Sequence, residues 1–501
     1  MSPPPTATSG SWLAELPRRL ELGAHARRVC IAFALGAIIV ALFPPTPLSW
    51  RTVIGGVVLQ ALLILPLGVV LALYRPSIYA SYRALLGIAL CFVFVLVLTR
   101  VVLLYIPSYG PFTGALVPIG VAGLTLGVLL DARTSMLATI MLALLIGQLP
   151  PFLGQRGTIL CLLGGAVSAW SVRSLTERRR AYVAIGVLFA GYAVASVAVT
   201  LVTASPLGDV SAGITIGWLN SVVSVALALL LLPIVESVSG IDTYFSLLEW
   251  SDLNRPLMRR LSLEAPGTFA HTLATAQLAE QACAAIGANG LLVRVGAYYH
   301  DIGKVTRPPY FVENQSDGQN PHDRLTPTES AAIIRGHVGD GLRLAEAHRV
   351  PRAIRAFIAE HHGTEPIAYF AEKARGIGDD PNAMHFRYAG PLPQSAESAI
   401  FMLADRVEAA TRGLRDRTPE RVREVVEKIV RRRVESGQLR EAPLTLAHIE
   451  HIKASFVRTL TSMHHNRIDY PSGAMERITR ESAGATGAGS GAGAGAGSAP
   501  G

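Results

Sequence analysis

A series of long apolar segments before residue 240 restricts the folds open to this chain more than any other feature of its sequence. A helix that crosses the roughly 30 Å hydrocarbon layer of a bilayer needs about 20 mainly apolar residues. Eight segments approach or reach that length, the sixth being the shortest: 29–48, 52–74, 84–106, 111–130, 135–153, 158–172, 181–204 and 214–237. We therefore expect a helical membrane domain over residues 29–238, with a first span at 29–48 and seven more from residue 52.

Two of these segments contain residues that interrupt helices. Pro150 and Pro151 lie near the end of the fifth segment, and Gly164 and Gly165 lie within the sixth. Such residues at membrane depth indicate a broken or re-entrant helix. We expect departures from regular helix at these two places.

The arginines around the apolar segments predict the orientation of the chain. If the N-terminus is in the cytoplasm, eleven arginines lie on that side: Arg18, Arg19, Arg27, Arg28, Arg75, Arg83, Arg133, Arg173, Arg178, Arg179 and Arg180. The outer loops then contain Arg51 and Arg156. Because positive residues accumulate on the cytoplasmic side, this arrangement is the favoured one. We expect residues 1–28 and everything after residue 238 to lie in the cytoplasm, with the spans in a bacterial inner membrane.

Composition argues against several other functions. The arginines at the ends of apolar segments account for much of the net charge of +9, so we expect no long nucleic acid as a partner. The spans contain almost no ionisable residues, which disfavours a transporter or channel. The four cysteines show no CxxC spacing, so neither a zinc site nor a disulfide framework is expected.

After residue 240 the sequence changes to amphipathic helices. Apolar residues recur at intervals of three and four in "HTLATAQLAEQACAAIG", "ESAAIIRGHVGDGLRLAEAH" and "SAESAIFMLADRVEAATR". We expect a cytoplasmic all-helical domain over residues 239–480 and a disordered Gly/Ala/Ser tail over 481–501. The fold class is therefore all-α: a membrane domain of about eight spans followed by a helical cytoplasmic domain.

Histidines and aspartates recur across this helical half in the order H, HD, H, HH, D. They are His271, His300, Asp301, His337, His361, His362 and Asp405. Imidazole and carboxylate together bind Mn, Fe, Zn and similar ions, and a pair of ions suits phosphoryl transfer. Seven such groups are too many for one ion and suit two. Because the chain has 13 histidines, spacing alone leaves a two-metal site and a set of ordinary histidines as equal alternatives.

Longer motifs surround these residues. They are "GANGLLVRVGAYYHDIGKVTRPPYFVENQ", "NPHDRLTPTESAAIIRGHVGDG", "EHHGT" and "YAGPLPQSAESAIFMLADRVEAATR". Together they resemble the HD-domain superfamily of metal-dependent phosphohydrolases, and within it the seven-transmembrane HD phosphodiesterases of PgpH type, which cleave cyclic di-AMP. The resemblance covers the plan of spans and most of residues 240–475. Better-known members have a large extracellular domain between the first two spans, where this chain has only "PPTPLSW" and a few flanking residues.

The resemblance implies a metal centre and a reaction. One ion would be held by His271, His300, Asp301 and Asp405, and a second by His337, His361 and His362, with Asp301 bridging the two. The implied cofactors are two divalent ions of iron or manganese. The implied reaction is hydrolysis of cyclic di-AMP to linear 5′-pApA by a metal-activated water, which would lower the level of this second messenger.

Residues close to the HD pair are candidates for substrate contacts. Asp301 and Lys304 are the catalytic candidates, and we expect Lys304 to meet a phosphate, with an acid on a neighbouring helix or a solvated helix end as alternatives. By the resemblance, the proline-rich loop frames the substrate cleft, so Arg307, Tyr310, Asn320, Arg324 and, further on, Tyr388 are candidates for phosphate or base contacts. Packing within the structure is an equal alternative for each. Gly303 is expected to permit a tight turn, and Thr326 with Glu329 to form a capping box.

Three other functions are weighed against this interpretation. Related HD enzymes that cleave cyclic di-GMP have Gly-Tyr-Pro after the histidine pair, and "HHGTEPIAYF" lacks it. A catalytically inactive receptor for a cyclic dinucleotide or a membrane signal is opposed by the seven intact positions. HD enzymes that hydrolyse guanosine tetraphosphate or deoxynucleotide triphosphates resemble a shorter H…HD…D pattern. The bilayer is an expected partner, and a homodimer is compatible with the sequence, which carries no signal for or against it.

Overall fold

The computed structural model describes residues 22–106, 110–149, 152, 155–171, 178–315, 320–380 and 382–465. The expected tail at 481–501 and most of the N-terminal segment 1–28 lie outside these residues. Within the described part all regular secondary structure is helical, apart from one isolated bridge between Pro366 and Arg387. The chain divides into two compact units, Met1–Leu247 and Leu248–Gly501. The expected all-α class is confirmed.

The first unit is a bundle of apolar helices. They are α1 (Leu22–Leu42), α2 (Trp50–Tyr74), α3 (Pro76–Ala80), α4 (Tyr82–Tyr105), α5 (Gly120–Leu129), α6 (Ala132–Gly147), α7 (Gln155–Ser171), α8 (Arg178–Val202) and α9 (Asp209–Ser239), with a 3₁₀ helix at Gly110–Leu116. Every expected span overlaps one of these helices. Over the described residues, α2, α4, α8 and α9 are long and apolar enough to cross a membrane, whereas the apolar parts of α1, α5, α6 and α7 are shorter.

The expected fourth span at 111–130 is not one continuous helix, so that prediction was wrong in detail. The 3₁₀ helix Gly110–Leu116 is separated from α5 by three residues. Irregular backbone at membrane depth is tolerated where protein groups satisfy its hydrogen bonds. Asn220 on α9 does so, because its Nδ2 donates to the carbonyl oxygens of Ala115 at 2.6 Å and Val117 at 2.9 Å. The partner that stabilises the break lies about a hundred residues away, which no local pattern reveals.

The expected interruption at Gly164 and Gly165 is not present, because α7 runs through both residues. A Cβ atom on Gly164 would lie 2.2 Å from the hydroxyl of Tyr192, and one on Gly165 would lie 2.8 Å from Cβ of Thr139. Small residues allow membrane helices to approach closely. These glycines therefore allow α7 to pack closely against the helices that carry Tyr192 and Thr139. Pro150 and Pro151 lie outside the described residues.

The helices of the second part of the chain are shorter and amphipathic. They are α10 (Tyr244–Trp250), α11 (Pro256–Glu264), α12 (Pro266–Ile286), α13 (Gly290–Tyr299), α14 (Pro327–Ala347), α15 (Arg352–Glu360), α16 (Ala368–Arg375), α17 (Ala396–Arg412), α18 (Pro419–Glu435) and α19 (Leu446–His465). Short 3₁₀ turns, Ile302–Thr306, Pro308–Tyr310, Val312–Asn314 and Pro321–Arg324, connect α13 to α14. The apolar faces of α12, α17, α18 and α19 form the main core, around Phe401 and Phe456.

Capping residues fix where two functionally important helices begin. At the start of α14, Thr326 Oγ1 accepts from the amide of Glu329 at 3.2 Å, and Glu329 Oε2 accepts from the amide of Thr326 at 2.9 Å. This is the expected capping box, which satisfies two amides that the helix leaves free. Ser395 and Ser398 form a similar box at the start of α17. These boundaries set the rotation of the helices that carry His337 and Asp405.

Candidate metal centre and cleft

Five helices bring the seven expected ligands together in the second unit. His271 lies in α12, His337 in α14 and Asp405 in α17. His300 ends α13 and Asp301 follows it, while His361 and His362 follow the last turn of α15. Six of these residues are buried and His362 is half-buried. Segments more than 130 residues apart thus meet at one buried point.

The carboxylate of Asp301 lies between two groups of histidines. Its Oδ2 atom is 3.0 Å from Nε2 of His300, whereas its Oδ1 atom is 3.3 Å from Nε2 of His337 and 3.7 Å from Nε2 of His361. One carboxylate therefore presents one oxygen to each side. This is the arrangement a bridging ligand requires.

The donor atoms fall into overlapping clusters of the size a metal ion needs. In each cluster the donor atoms lie within 4.8 Å of one another. The clusters are His271 with His300 and Asp405, His337 with His361 and His362, and His300 with Asp301 and His361. The third cluster shares His300 with the first and His361 with the second, so Asp301 lies between them.

Several donor atoms in these clusters lack a hydrogen-bond partner among the described residues. They are Nε2 of His300, Oδ1 of Asp301 and Nδ1 of His362, all buried. Although His300 Nε2 lies 3.0 Å from Asp301 Oδ2, the two atoms lack hydrogen-bond geometry. Burying such atoms without a partner costs free energy, so convergent orphan donors fit a bound cation. A donor set of nitrogen and oxygen without thiolate fits iron or manganese.

Backbone carbonyls orient three of the histidine rings. Nδ1 of His300 donates to the carbonyl of Ala297 at 2.7 Å, and Nδ1 of His337 donates to that of Ile334 at 2.5 Å. Nδ1 of His361 lies 3.0 Å from the carbonyls of both Phe357 and Ile358. With Nδ1 protonated, the Nε2 lone pair of each ring is free to bind a metal. Carbonyls three or four residues earlier in the chain thus set the tautomer that coordination needs.

Burial keeps the histidines of the second cluster neutral. It lowers the pKa of His361 to about 3, with the charge of His300 adding to the effect, and it also lowers the pKa of His337 and, more strongly, of His362. Asp301 behaves differently, because the charges of His300 and Lys304 outweigh burial and hold its pKa well below its usual value. At neutral pH His337, His361 and His362 are therefore neutral. Asp301 is ionised, and these are the forms that bind metal.

His271 belongs to a more acidic environment. Burial favours its neutral form, but its hydrogen bonds to Asp405 and Glu408 outweigh this and raise its pKa to about 9. The same contact with His271 lowers the pKa of Asp405 against the effect of burial. The two side chains form a salt bridge, with Nε2 of His271 3.0 Å from Oδ1 of Asp405.

Lys304 pairs with two acids. Its Nζ atom lies 2.7 Å from Oδ2 of Asp301 and 2.7 Å from Oε1 of Glu313. These carboxylates outweigh burial and raise the pKa of Lys304, so it stays charged. An acidic partner for Lys304 was one of the alternatives that the sequence left open. Lys304 also lines the cleft beside the metal ligands, so a contact with phosphate stays a prediction.

A cleft of about 790 Å³ is lined in part by His337 and His362. Small-molecule sites are roughly 300–1,000 Å³, so this cleft has the volume of a ligand site. Of the expected substrate contacts, Lys304, Tyr310, Asn320 and Tyr388 line it. Asn320 also accepts from the amide of His322 at 3.1 Å, which holds the loop in place.

Two of the expected contacts lie outside the cleft lining, and Tyr388 lines the cleft with one face of its ring covered. Arg307 and Arg324 are exposed and are not among the residues that line the cleft. They lie on the connection made of short 3₁₀ turns, whose direction changes every few residues. Proximity to the HD pair in the sequence therefore did not predict which side chains line the cleft. Tyr388 is buried and stacks on the His362 ring at 4.0 Å between centroids. One face of Tyr388 is therefore occupied by a ligand of the centre.

Sequence reasoning missed several residues of the site. Arg406, Arg432 and Arg433 line the cleft, and buried Arg433 pairs with Glu365. Arg406 directly follows Asp405, and this adjacency was a usable signal for it. Nothing local pointed to Arg432, which reaches the cleft from α18, or to Glu313 as the partner of Lys304.

Gly303 is required for a different reason from the expected turn. Its φ angle is not in the positive region where glycine is favoured. Instead, a Cβ atom here would lie 1.9 Å from the carbonyl oxygen of His337 and 2.6 Å from the amide of Gly341. The missing side chain lets the HD turn pack against α14, and so lets Asp301 reach His337.

Known proteins resemble this chain over both units. Residues 50–243 match the family model of the 7TM receptor with intracellular HD hydrolase, and residues 268–410 match that of the HD domain. The cyclic-di-AMP phosphodiesterase PgpH of Bacillus subtilis is 36% identical over 367 residues, which is 72% of this chain and 51% of the relative. That of Listeria monocytogenes is 36% identical over 71% of this chain and 50% of its own length. The chain thus spans about half the length of these curated relatives.

Two solved structures are also similar to part of this chain. The crystal structure of the HD domain of L. monocytogenes phosphodiesterase PgpH is 42% identical, covers 42% of this chain and 100% of its own, and has a TM-score of 0.41. The structure of the same domain in complex with cyclic di-AMP has the same values.

Proposed function

The chain belongs to the family of 7TM receptors with an intracellular HD hydrolase. On this basis we propose that it is a membrane-anchored, metal-dependent phosphodiesterase. Its proposed reaction is the hydrolysis of cyclic di-AMP to linear 5′-pApA. In this proposal residues 29–238 anchor the protein in the inner membrane, and residues 239–480 form the catalytic domain in the cytoplasm. The result is a lower level of the second messenger.

One observation carries the proposal. Asp301 presents its two carboxylate oxygens to two separate groups of histidines, 3.0 Å from His300 on one side and 3.3 Å from His337 on the other. A carboxylate in this position would be able to serve two cations, which supports the proposal. A pair of cations beside an open cleft is the arrangement used for hydrolysis of phosphate esters.

The residues around the cleft support a phosphate-containing substrate. His271, His300, Asp301 and Asp405 would hold one ion, and Asp301, His337, His361 and His362 the other. When bound, the ions would supply an activated water and neutralise charge on the phosphate that is attacked. Among the described residues, Arg406 and Arg432 of the cleft form no ion pair, so their charge is available to a phosphate.

Within this site the side chains of the chain itself have distinct roles. Glu313 and Asp301 hold Lys304 at the edge of the cleft, where a charged ammonium can contact a phosphate oxygen. Tyr388 packs on His362 and keeps that ring in place. Buried apolar neighbours such as Phe401, whose ring centroid is 4.8 Å from that of His300, exclude water from the back of the centre.

The substrate assignment follows from the relatives. Both curated relatives reported above are cyclic-di-AMP phosphodiesterases, and they match over most of this chain. Hydrolysis of cyclic di-GMP and a catalytically inactive receptor are the competing outcomes. The text after the histidine pair, "HHGTEPIAYF", lacks the Gly-Tyr-Pro typical of the former.

Turnover by the purified full-length chain tests the proposal. In detergent with Mn²⁺ or Fe²⁺, the wild-type protein is expected to convert cyclic di-AMP to pApA and to leave cyclic di-GMP largely intact. Asp301→Ala removes the bridging carboxylate, so its rate is expected to fall by at least about a hundredfold, as when a group acting in the transition state is lost. Asp323→Ala, which changes an exposed aspartate outside the cleft lining, is the matched control and is expected to keep wild-type turnover.

Two results would contradict the proposal. Preferential cleavage of cyclic di-GMP would overturn the substrate assignment. Unchanged turnover of cyclic di-AMP by the Asp301→Ala protein would overturn the metal-dependent mechanism.

A further inference from the structure

Glu408 contacts the outer nitrogen of a metal-binding histidine. Its Oε2 atom lies 2.5 Å from Nδ1 of His271, and both residues are buried. The other nitrogen of the ring, Nε2, lies 3.0 Å from Oδ1 of Asp405. Asp405 and Glu408 are three residues apart on α17 and so lie on the same face of that helix. One helix thus contacts both nitrogens of the His271 ring.

His271 differs from the other histidines whose Nδ1 contacts are described above. Those rings bond to carbonyl oxygens three or four residues earlier in their own chain segment. The Nδ1 atom of His271 instead meets side chains, with the hydroxyl of Thr275 at 3.2 Å and the much closer carboxylate of Glu408. The orientation of this ring therefore depends on a residue that lies 137 positions away in the sequence.

Arg412 holds the carboxylate of Glu408 in place. Its Nη2 atom is 3.1 Å from Oε2 of Glu408 and 3.2 Å from Nδ1 of His271. A guanidinium has only donors, so it stabilises an ionised carboxylate that can then accept the proton on Nδ1. A buried carboxylate without such a partner would be costly. Asp405, Glu408 and Arg412 form one continuous row along α17.

We propose that Glu408 is a positioning residue for His271. By accepting Nδ1–H it selects the tautomer whose Nε2 lone pair faces the first metal site, and its negative charge makes that nitrogen a stronger ligand. Loss of such an outer carboxylate lowers metal affinity roughly 10–100-fold. The inference rests on the proposed metal pair and does not depend on which cyclic dinucleotide is cleaved.

Titration of the metal-free full-length protein with Mn²⁺ tests the inference without an activity assay. Competition with a chelator measures the two affinities, and electron paramagnetic resonance distinguishes a coupled pair of ions from a single one. In Glu408→Ala, affinity for one of the two ions is expected to fall roughly 10–100-fold while the other is retained. Glu408→Gln keeps an acceptor for Nδ1–H without the charge, so its loss is expected to be smaller.

A matched control separates positioning from a general effect on the fold. Glu280 lies on the same helix as His271 and pairs with Arg294 at 3.1 Å, away from the metal centre. Glu280→Gln is expected to bind both ions as the wild type does. Thermal unfolding of each metal-free variant shows that the protein is folded, and Glu408→Gln provides the test if Glu408→Ala does not fold.

Several outcomes of these experiments would overturn the inference. It is overturned if folded Glu408→Ala and Glu408→Gln proteins bind both ions with wild-type affinity, or if Glu280→Gln loses affinity to the same extent. A wild-type chain that binds two ions yet cleaves neither dinucleotide overturns the proposed substrate alone. A wild-type chain that binds no ion overturns both proposals.

Discussion

At the scale of single residues, the site depends on a glycine, which has no side chain, as much as on the side chains that could bind metal. The HD turn reaches α14 only because Gly303 has no Cβ atom, since one there would overlap the carbonyl of His337. The sequence identified this glycine but assigned it to a turn. A contact across 34 positions is invisible to local pattern, whereas the identity of the neighbouring ligands was readable from the motif "HDIGK".

Substitution of Gly303 by alanine is therefore expected to destabilise the protein. The added Cβ atom forces the HD turn away from α14, and overpacking of this kind costs roughly 1–3 kcal/mol or more. The shift also moves Asp301 away from His337, so metal affinity is expected to fall. Thermal unfolding and Mn²⁺ titration of the full-length protein measure the two effects.

Gly336→Ala is the control for this change. Gly336 lies within α14 next to His337, and a Cβ atom there meets nothing within 4 Å. Replacing a helix-interior glycine by alanine stabilises by roughly 0.5–1 kcal/mol. If Gly303→Ala unfolds no earlier than the Gly336→Ala protein, the close approach of the turn is not essential.

At the scale of helices, the sequence predicted most elements and missed their interruptions. Each of the eight apolar segments overlaps a helix of the first unit, and a capping box located the start of α14 correctly. The break before α5 was missed because its stability comes from Asn220 on α9, and the break expected at Gly164 was wrong because Tyr192 fills the space beside it. In both cases a residue distant in the sequence determines whether the helix is interrupted.

Asn220→Ala is expected to destabilise the first unit. The carbonyls of Ala115 and Val117 both lose their donor, and hydrogen bonds of this kind between membrane helices contribute about 1–2 kcal/mol. Thermal unfolding in detergent is expected to shift to lower temperature. Ser211→Ala is the control, because the hydroxyl of this exposed residue on the same helix donates to the carbonyl of Gly208, within its own turn. Equal unfolding temperatures for the two variants would show that the break is stable without Asn220.

At the scale of the whole molecule, an apolar helical unit and a helical unit with clustered metal ligands occur in one chain. The connection between α1 and α2 consists of residues 43–49, where the better-known members of the family are expected to have a large domain. The order and spacing of the histidines and aspartates left two alternatives open, and the family resemblance of the longer motifs predicted which seven residues meet. The role of the row formed by Asp405, Glu408 and Arg412 was not predicted, because it depends on a contact with His271, which lies on another helix.

The central claim is that these seven side chains surround two metal ions. Elemental analysis of the purified full-length protein, reconstituted with iron or manganese and freed of excess metal, tests it most directly. The account predicts two ions per chain. One ion per chain or fewer at saturation would contradict it.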